Sequence, residues 1–188
     1  MVEPFINTPV IADKAASPLG DSFVPGRFGN TKAGCGVQLS ERQGIALADV
    51  AAWPGKANIV STAVSTSACF FEYAPNRWTV ITDDQYVPMN LAKKVGDAGT
   101  VVDLSHGRTV LRISGNQAAW VLPKLFAIDF SDAAFAVATG LATQHHEISA
   151  QIYRVDATTF DIMIFRSYAR AFWHTLTKAA QDVGYEVV

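Results

Sequence analysis

Apolar and polar positions alternate with a period of two along most of the second half of the chain. This period is typical of β-strands, in which successive side chains point to opposite faces of a sheet. Turn-forming residues such as Gly107 separate the alternating stretches from one another. The pattern predicts strands over residues 100–106, 108–114, 141–146, 148–155, 160–165 and 185–188, the last as a closing edge strand.

Two stretches of the same half change to the helical period. Ser114, with Gln117 three residues later, fits a capping box and predicts a helix that Pro123 ends. Ser167 is the predicted cap of the last helix, and Gly184 its end. One apolar stripe marks that helix: Ala169, Phe172, Trp173, Leu176, Ala180 and Val183. The order strand, helix, strand, strand, helix, strand predicts an α+β fold with a ferredoxin-like split β-α-β unit.

The first half shows the same two periods less regularly, because serine and threonine interrupt its apolar pattern. Pro54-Gly55 separates a strand-like region from a helix-like one. The predicted elements are, in chain order, strands over 36–41 and 45–50 paired around Gly44, an amphipathic helix over 56–70, a strand over 77–82, and a short helix capped by Asp83 or Asp84 that reaches Lys94.

Residues 1–35 are rich in proline and glycine and show no sustained period, so they are predicted to form an arm. Two readings of this arm stay open: a disordered tail, or a segment that wraps a neighbouring chain with its apolar residues. The predicted domains are therefore the arm, 1–35, and an α+β domain, 36–188, with possible lobes 36–98 and 99–188. The apolar residues of the arm are Phe5, Ile6, Val10, Ile11, Leu19, Phe23 and Phe28.

The composition is apolar for a chain of 188 residues. Hydrophobic residues make up 49% and charged residues only 17%, below the usual quarter, and the mean hydropathy is +0.17. Either the core is unusually well filled or some apolar surface is buried against a partner. The composition favours partner burial, because large exposed apolar patches mark interaction sites.

Charge and cysteine content exclude several classes of function. A net charge of −2 with scattered Lys and Arg residues argues against nucleic-acid binding. Charged or amide residues interrupt every apolar stretch, so no membrane span is expected. The start Met-Val-Glu-Pro lacks the features of a secretory signal. Cys35 and Cys69 form no metal-spaced set, which favours reduced thiols in the cytoplasm.

Asp103, Ser105 and His106 are the first candidates for chemistry, since Asp, Ser and His make up hydrolytic triads. Strand alternation points neighbouring side chains apart, however, and no Gly-x-Ser-x-Gly turn surrounds Ser105. We therefore expect a structural role. Asp103 and Ser105 should bond nearby backbone or Arg108, and the His106 ring should pack at the turn.

The run His145-His146-Glu147 is a candidate for metal binding. Adjacent residues of a strand point to opposite faces, and no second His or Cys group at ligand spacing supports a site, so no metal is expected. No Gly-x-Gly-x-x-Gly or P-loop motif is present, so this chain is expected to bind no dinucleotide or nucleoside phosphate.

Three motifs resemble the gamma subunit of heterotetrameric sarcosine oxidase, in the same order and at similar separation. The resemblance covers nearly the whole chain and is strongest over residues 101–184. Asp-Leu-Ser-His followed by a small-residue turn is also distantly similar to the folate-binding domain of glycine-cleavage aminomethyltransferases. The motifs are Asp103-Leu104-Ser105-His106-Gly107-Arg108 with its Arg-Ile-Ser-Gly exit, Ile128-Asp129-Phe130 leading to Phe135, and Arg166-Ser167-Tyr168-Ala169 leading to Phe172-Trp173.

The resemblance implies an aminomethyltransferase folate-binding-domain-like fold and a non-catalytic subunit of a flavoenzyme complex. That complex oxidatively demethylates sarcosine to glycine, passes the one-carbon unit to tetrahydrofolate and forms hydrogen peroxide. FAD, FMN, NAD and tetrahydrofolate are then expected on the partner chains, which are the alpha-type, beta and delta subunits, and none on this chain. The motif residues Asp103, Ser105, His106, Arg108, Arg166 and Trp173 are expected to be structural.

Two other functions remain open. The first is a stand-alone folate-binding protein for one-carbon transfer, of aminomethyltransferase type. Against it, the chain has about half the length of such enzymes, and no acidic constellation maps onto their folate site. The second is a scaffold that keeps the fold but serves an unrelated complex. The exact N-methyl amine substrate is not readable from this chain, because substrate contacts are expected on other chains.

Overall fold

The structure, a computed structural model, describes residues 16–32 and 34–188, and these residues form two β-sheets with four α-helices. The strands are β1 (Gly26–Phe28), β2 (Val37–Arg42), β3 (Ala46–Ala52), β4 (Phe70–Ala74), β5 (Arg77–Thr82), β6 (Gly99–Asp103), β7 (Arg108–Ser114), β8 (Gly140–His145), β9 (Ile148–Arg154), β10 (Thr159–Phe165) and β11 (Tyr185–Val187). The helices are α1 (Ala57–Val64), α2 (Val87–Val95), α3 (Ala118–Val121) and α4 (Ala169–Ala180).

The smaller sheet is a complete ferredoxin-like unit. Its chain order is β3-α1-β4-β5-α2-β6, and its four strands lie in the order β4-β5-β3-β6, all antiparallel. The first strand of the unit therefore lies between its third and fourth strands, as the split β-α-β arrangement requires.

The larger sheet contains a second such unit with additional strands. Strands β7, β9, β10 and β11 follow the same order, but β2 is inserted between β11 and β7, and β8 extends the sheet beyond β9. The full order is β1-β11-β2-β7-β10-β9-β8. The predicted α+β class with ferredoxin-like split units is thus confirmed.

The two sheets pack face to face between two layers of helices. Helices α3 and α4 share a core with the larger sheet, around Leu111, Ile162 and Phe172. Helices α1 and α2 share another with the smaller sheet. A third cluster fills the space between the sheets and joins Leu47 and Ile81 to residues such as Met163. No helix among the described residues is long and apolar enough to cross a membrane.

Strand positions agree with the sequence predictions more closely than strand partners do. The predicted strands over 77–82 and 108–114 form at those residues. The strands predicted as a pair around Gly44 both form, but β2 joins the larger sheet and β3 the smaller one. The pairing prediction was wrong because Gly44, with φ of 69°, is part of a crossing between sheets rather than of a hairpin.

The last strand is also placed differently from its prediction. β11 is not an edge strand, since it pairs antiparallel with β1 and parallel with β2. Sequence reasoning missed β1, which comes from the proline- and glycine-rich segment and covers the edge that β11 would otherwise expose.

Each predicted helix is present, but the bounds differ. The helix predicted over 56–70 ends at Val64, and Phe70 begins strand β4, which sequence reasoning missed. Neither α3 nor α4 has a side-chain cap among the described residues, so the capping box of Ser114 with Gln117 and the Ser167 cap were wrong. A 3-10 turn over Arg166–Tyr168 precedes α4 instead and supplies its first backbone bond. At α2, Asp84 accepts from the Tyr86 amide at 2.9 Å, before the helix begins.

From residue 16 onward the N-terminal segment packs against its own chain. Leu19 is fully buried in the core of the larger sheet, and the Phe23 ring lies 5.6 Å from the Trp173 ring. Neither a disordered tail nor an arm on a neighbouring chain describes these residues. Phe5, Ile6, Val10 and Ile11 lie outside the described residues, and the domain boundaries at 35 and 98 stay predictions.

Candidate functional site

The hexapeptide from Asp103 to Arg108 is the crossing point between the two sheets. Asp103 ends β6 in the smaller sheet, and Arg108 begins β7 in the larger one. The turn between them is closed by the amides of Gly107 and Arg108, which donate to the Leu104 carbonyl at 2.9 and 3.1 Å. The predicted strand over 100–106 therefore ends at Asp103, and the motif is a connection whose bonds fix how the sheets meet.

Asp103 and Ser105 bond to each other and to the smaller sheet. Asp103 Oδ1 accepts from the Ser105 amide at 2.9 Å and from its hydroxyl at 2.5 Å. The same hydroxyl oxygen accepts from the Leu47 amide at 3.0 Å. Both polar groups are thus occupied in holding the turn against β3. The expected bonds to nearby backbone are present, whereas Arg108 is not their partner.

His106 is exposed at the tip of this turn. The expectation that its ring packs there was wrong, because the chain leaves the strand after Asp103 and the alternation that would turn the ring inward is lost. An exposed imidazole next to a hydroxyl that already donates to Asp103 does not form a nucleophile-base pair.

Arg108 is half-buried at the start of β7. Its guanidinium carbon lies 3.6 Å from the centre of the Phe165 ring, at the end of the neighbouring strand β10. Burial lowers the pKa of Arg108 from its ordinary value, and the charge of Asp49 offsets part of this effect. No carboxylate of the described residues lies within 4.0 Å of this guanidinium.

Arg166 ties the N-terminal segment to the same turn. Its backbone amide donates to the Gly107 carbonyl at 3.0 Å, and its guanidinium donates to the Ala16 carbonyl. Arg170, one turn further along, donates to the Pro18 carbonyl at 3.2 Å. These bonds place the start of the described chain beside the motif.

Trp173 lies nearly buried on α4, with 4% of its surface exposed. Its indole Nε1 donates to the Ser22 carbonyl at 3.0 Å, which fixes the N-terminal segment to the helix. The ring also contacts Phe23. Trp173 therefore contributes to the core and also holds the segment that leads into β1.

The adjacent histidines of the metal candidate lie at the end of β8. His145 Nδ1 lies 2.8 Å from the Leu125 carbonyl, and its ring packs edge-on against Phe126 and Phe172. His146 is exposed with a φ of 49° and belongs to the turn into β9. Within residues 16–32 and 34–188, no group of three or more His, Cys, Asp or Glu side chains is arranged for a metal ion.

An open groove of about 940 Å³ lies beside the start of α3. Its lining includes Gly36, Asn116, Trp120, Thr158 and Asp182. None of the described residues that line it is Lys or Arg.

Two buried charged residues were missed by sequence reasoning. Asp161 is fully buried on β10 and accepts from Arg42 at 2.8 Å and from Arg112 at 2.7 and 2.9 Å. Arg154, 2% exposed, donates to the Phe135 carbonyl at 2.5 Å and pairs with Asp132. The available signal was a charged residue inside the apolar strand β10 and another at the end of β9.

Comparisons with known sequences and solved structures show which proteins this chain resembles. Residues 50–182 match the sequence profile described as "Sarcosine oxidase, gamma subunit family". No curated protein sequence matches the chain significantly. The heterotetrameric sarcosine oxidase from Corynebacterium sp. U-96, solved in complex with pyrrole 2-carboxylate, contains a similar chain. The TM-score is 0.70 at 22% identity, over 78% of this chain and 85% of that chain.

A second solved structure shares the fold. The glycine cleavage system aminomethyltransferase T from Bartonella henselae matches with a TM-score of 0.60 and 17% identity. The match covers 82% of this chain but only 48% of that enzyme, so the chain spans about half of the enzyme's length. At these identities both likenesses concern the fold, which is the aminomethyltransferase-like α+β fold that the family resemblance implied.

Proposed function

This chain belongs to the sarcosine oxidase gamma subunit family, and we propose on that premise that it is a non-catalytic structural subunit of a heterotetrameric sarcosine oxidase. The complex would oxidatively demethylate sarcosine to glycine and transfer the one-carbon unit to tetrahydrofolate. The observation that carries the non-catalytic role is the bonding at the motif. The Ser105 hydroxyl donates to Asp103 and accepts from Leu47, so the polar groups of the turn hold it against the smaller sheet.

The proposal assigns the cofactors and the chemistry to partner chains. FAD, FMN, NAD and tetrahydrofolate would lie on the alpha-type, beta and delta subunits. The family match supports this assignment, because it describes one subunit of a larger enzyme. A cytoplasmic location belongs to the same proposal and is supported by the free thiols of Cys35 and Cys69.

We further propose that the motif residues act structurally. Ser105 and Asp103 fix the turn, and Arg166 joins the turn to the N-terminal segment. Trp173 anchors the continuation of that segment on α4. His106 is the exception, because it is exposed at the tip of the turn.

The alternative of a stand-alone folate-binding protein is not favoured. The chain matches only about half of an aminomethyltransferase, and its family is defined by a subunit of a larger assembly. One experiment separates the two functions: measure flavin absorbance, peroxide release from sarcosine, and tetrahydrofolate binding for the purified chain. The proposal expects none of the three signals, whereas tetrahydrofolate binding by the isolated chain would support the alternative.

A further inference from the structure

The two sheets do not cover each other completely at the end where the hexapeptide crosses between them. In the smaller sheet, Val102 of β6 stands opposite Asp49 of β3, and both point to the side that carries Leu47 in the inter-sheet core. Yet Val102 is 49% exposed. An apolar side chain on an inner face is therefore left in contact with solvent.

The larger sheet also has an apolar side chain on its inner face that is exposed to solvent. Phe165 of β10 stands opposite Arg108 of β7, on the face that buries Met163 in the inter-sheet core. Phe165 nevertheless remains 42% exposed. We call the surface formed by these inner-face residues the open-end surface; it consists of Asp49, Tyr73, Arg77, Val102, Arg108 and Phe165.

The charges of the open-end surface are not balanced. Asp49 uses both carboxylate oxygens within the chain: Oδ1 accepts from the Tyr73 hydroxyl at 2.6 Å and Oδ2 from Arg77 at 2.5 Å. Arg108 is then left without a carboxylate among the described residues, and its closest charge-stabilising contact is the face of Phe165. A cation over an exposed ring is a weak substitute for an ion pair.

Trp120, another exposed aromatic residue, lacks this combination. The Trp120 ring is covered by the Lys124 ammonium at 3.6 Å, and that ammonium already pairs with Asp182 at 2.8 Å. Its charge is therefore matched within the chain. At the open-end surface, an incompletely solvated guanidinium and two exposed apolar side chains lie together instead.

We propose that the open-end surface is a docking site for a partner chain that presents a carboxylate to Arg108 and an apolar side chain to Phe165 and Val102. The guanidinium group of arginine binds a carboxylate with two parallel hydrogen bonds. Arginine and aromatic residues are enriched in protein–protein interfaces. The inference rests on the proposed function, since it names the face by which this subunit joins the complex. Burial of Phe165 and Val102 in the interface strengthens the ion pair between Arg108 and the partner's carboxylate, because the local dielectric constant falls.

The test uses the assembled enzyme. A complex of alpha-type, beta and delta subunits prepared without this chain is titrated with purified variants, and the dissociation constant is measured by calorimetry. We expect Arg108→Gln and Phe165→Ser each to raise the dissociation constant by about tenfold or more. The matched control is Arg27→Gln, because Arg27 is an exposed arginine on the edge strand β1 and pairs with Glu186 of β11. This substitution should change the dissociation constant by less than about twofold. Melting temperatures of the free variants confirm that each one folds.

Two further results have distinct meanings. If Arg108→Gln and Phe165→Ser both bind within about twofold of the unchanged chain, the docking site is wrong, although the subunit role stands. If the unchanged chain itself does not bind the complex, the proposed function fails and the docking proposal with it. Binding should also lose much of its salt dependence in Arg108→Gln, since the lost contact is an ion pair.

Discussion

Polar side chains make hydrogen bonds and ion pairs in the region where the two sheets of this fold meet. The Ser105 hydroxyl connects the crossing turn to the Leu47 amide in the smaller sheet, and the Thr79 hydroxyl donates to Gln151 of the larger one at 2.9 Å. Asp161 lies at the same inter-sheet boundary and gathers two arginines from two other strands. Removing such a group leaves a buried partner without its bond, so single substitutions here should have measurable energetic consequences.

Ser105→Ala should lower the free energy of unfolding by about 1–3 kcal/mol, because the Leu47 amide loses its acceptor. His106→Ala is the matched control at the next residue and should change it by less than about 0.5 kcal/mol, since His106 is exposed. Urea unfolding measures both. Turnover of the assembled complex should stay within a few-fold for both variants, and a loss of about 100-fold in a folded, assembled complex would show a catalytic role.

Asp161→Ala should destabilise the fold by about 3–5 kcal/mol, because Arg42 and Arg112 lose the buried carboxylate they share. Asp83→Ala removes a second carboxylate from the same Arg42, but Asp83 has 82% of its side chain exposed. Its cost should stay below about 1 kcal/mol. Equal effects of the two substitutions in chemical denaturation would contradict the buried network.

The Asp161 network also shows which part of the site the sequence could predict. The strand that carries Asp161 was predicted from local alternation at nearly its observed bounds. Its partners lie on β2 and β7, which are more than 40 residues away in sequence and become neighbours only through the order of the sheet. Local alternation contains no information about that order, so the cluster itself was not predictable.

At the scale of elements, α4 and the closure of the two sheets determine the packing. The apolar stripe of α4 was predicted, and its residues Phe172, Trp173 and Leu176 are buried as expected. Its predicted Ser167 cap was wrong because a 3-10 turn supplies the first backbone bond, which a side-chain pattern does not reveal. Periodicity therefore predicts which face of an element is buried better than how the element begins.

Trp173→Ala should cost about 3–5 kcal/mol of unfolding free energy, through a residual cavity and the lost contact with Phe23. The variant should also release the segment held through the Ser22 carbonyl. Limited proteolysis between residues 16 and 32 reports that release. A melting temperature equal to that of the unchanged protein would show that Trp173 is not part of the core.

Gly140→Ala tests the closure of the sheets at the edge formed by β4 and β8. A β-carbon at Gly140 would lie 2.4 Å from the Phe71 ring, so the two sheets would have to move apart. We expect a loss of about 1–3 kcal/mol. Gly107→Ala is the control, since its β-carbon would meet only the Leu104 carbonyl at 3.7 Å. The account of sheet packing is contradicted if denaturant midpoints of the two variants coincide.

At the scale of the whole molecule, two ferredoxin-like units pack sheet to sheet, and the smaller unit lies in sequence between strands β2 and β7 of the larger sheet. The N-terminal segment contributes Leu19 to the core and β1 to an edge of the larger sheet. Composition predicted surplus apolar surface but not its location, because the exposure of the inner-face residues Val102 and Phe165 depends on how far the two sheets cover each other. The family resemblance supplied the functional hypothesis, and the fold and family membership agree with it.

The central claim is that this chain functions as a bound subunit, and size-exclusion chromatography with mass determination tests it most directly. The chain is co-expressed with the alpha-type, beta and delta subunits and analysed at micromolar concentration. The account predicts one peak that contains all four chains, carries the flavin absorbance and oxidises sarcosine, while this chain alone elutes colourless and inactive. Separate elution of this chain from an active complex of the other three would contradict the claim.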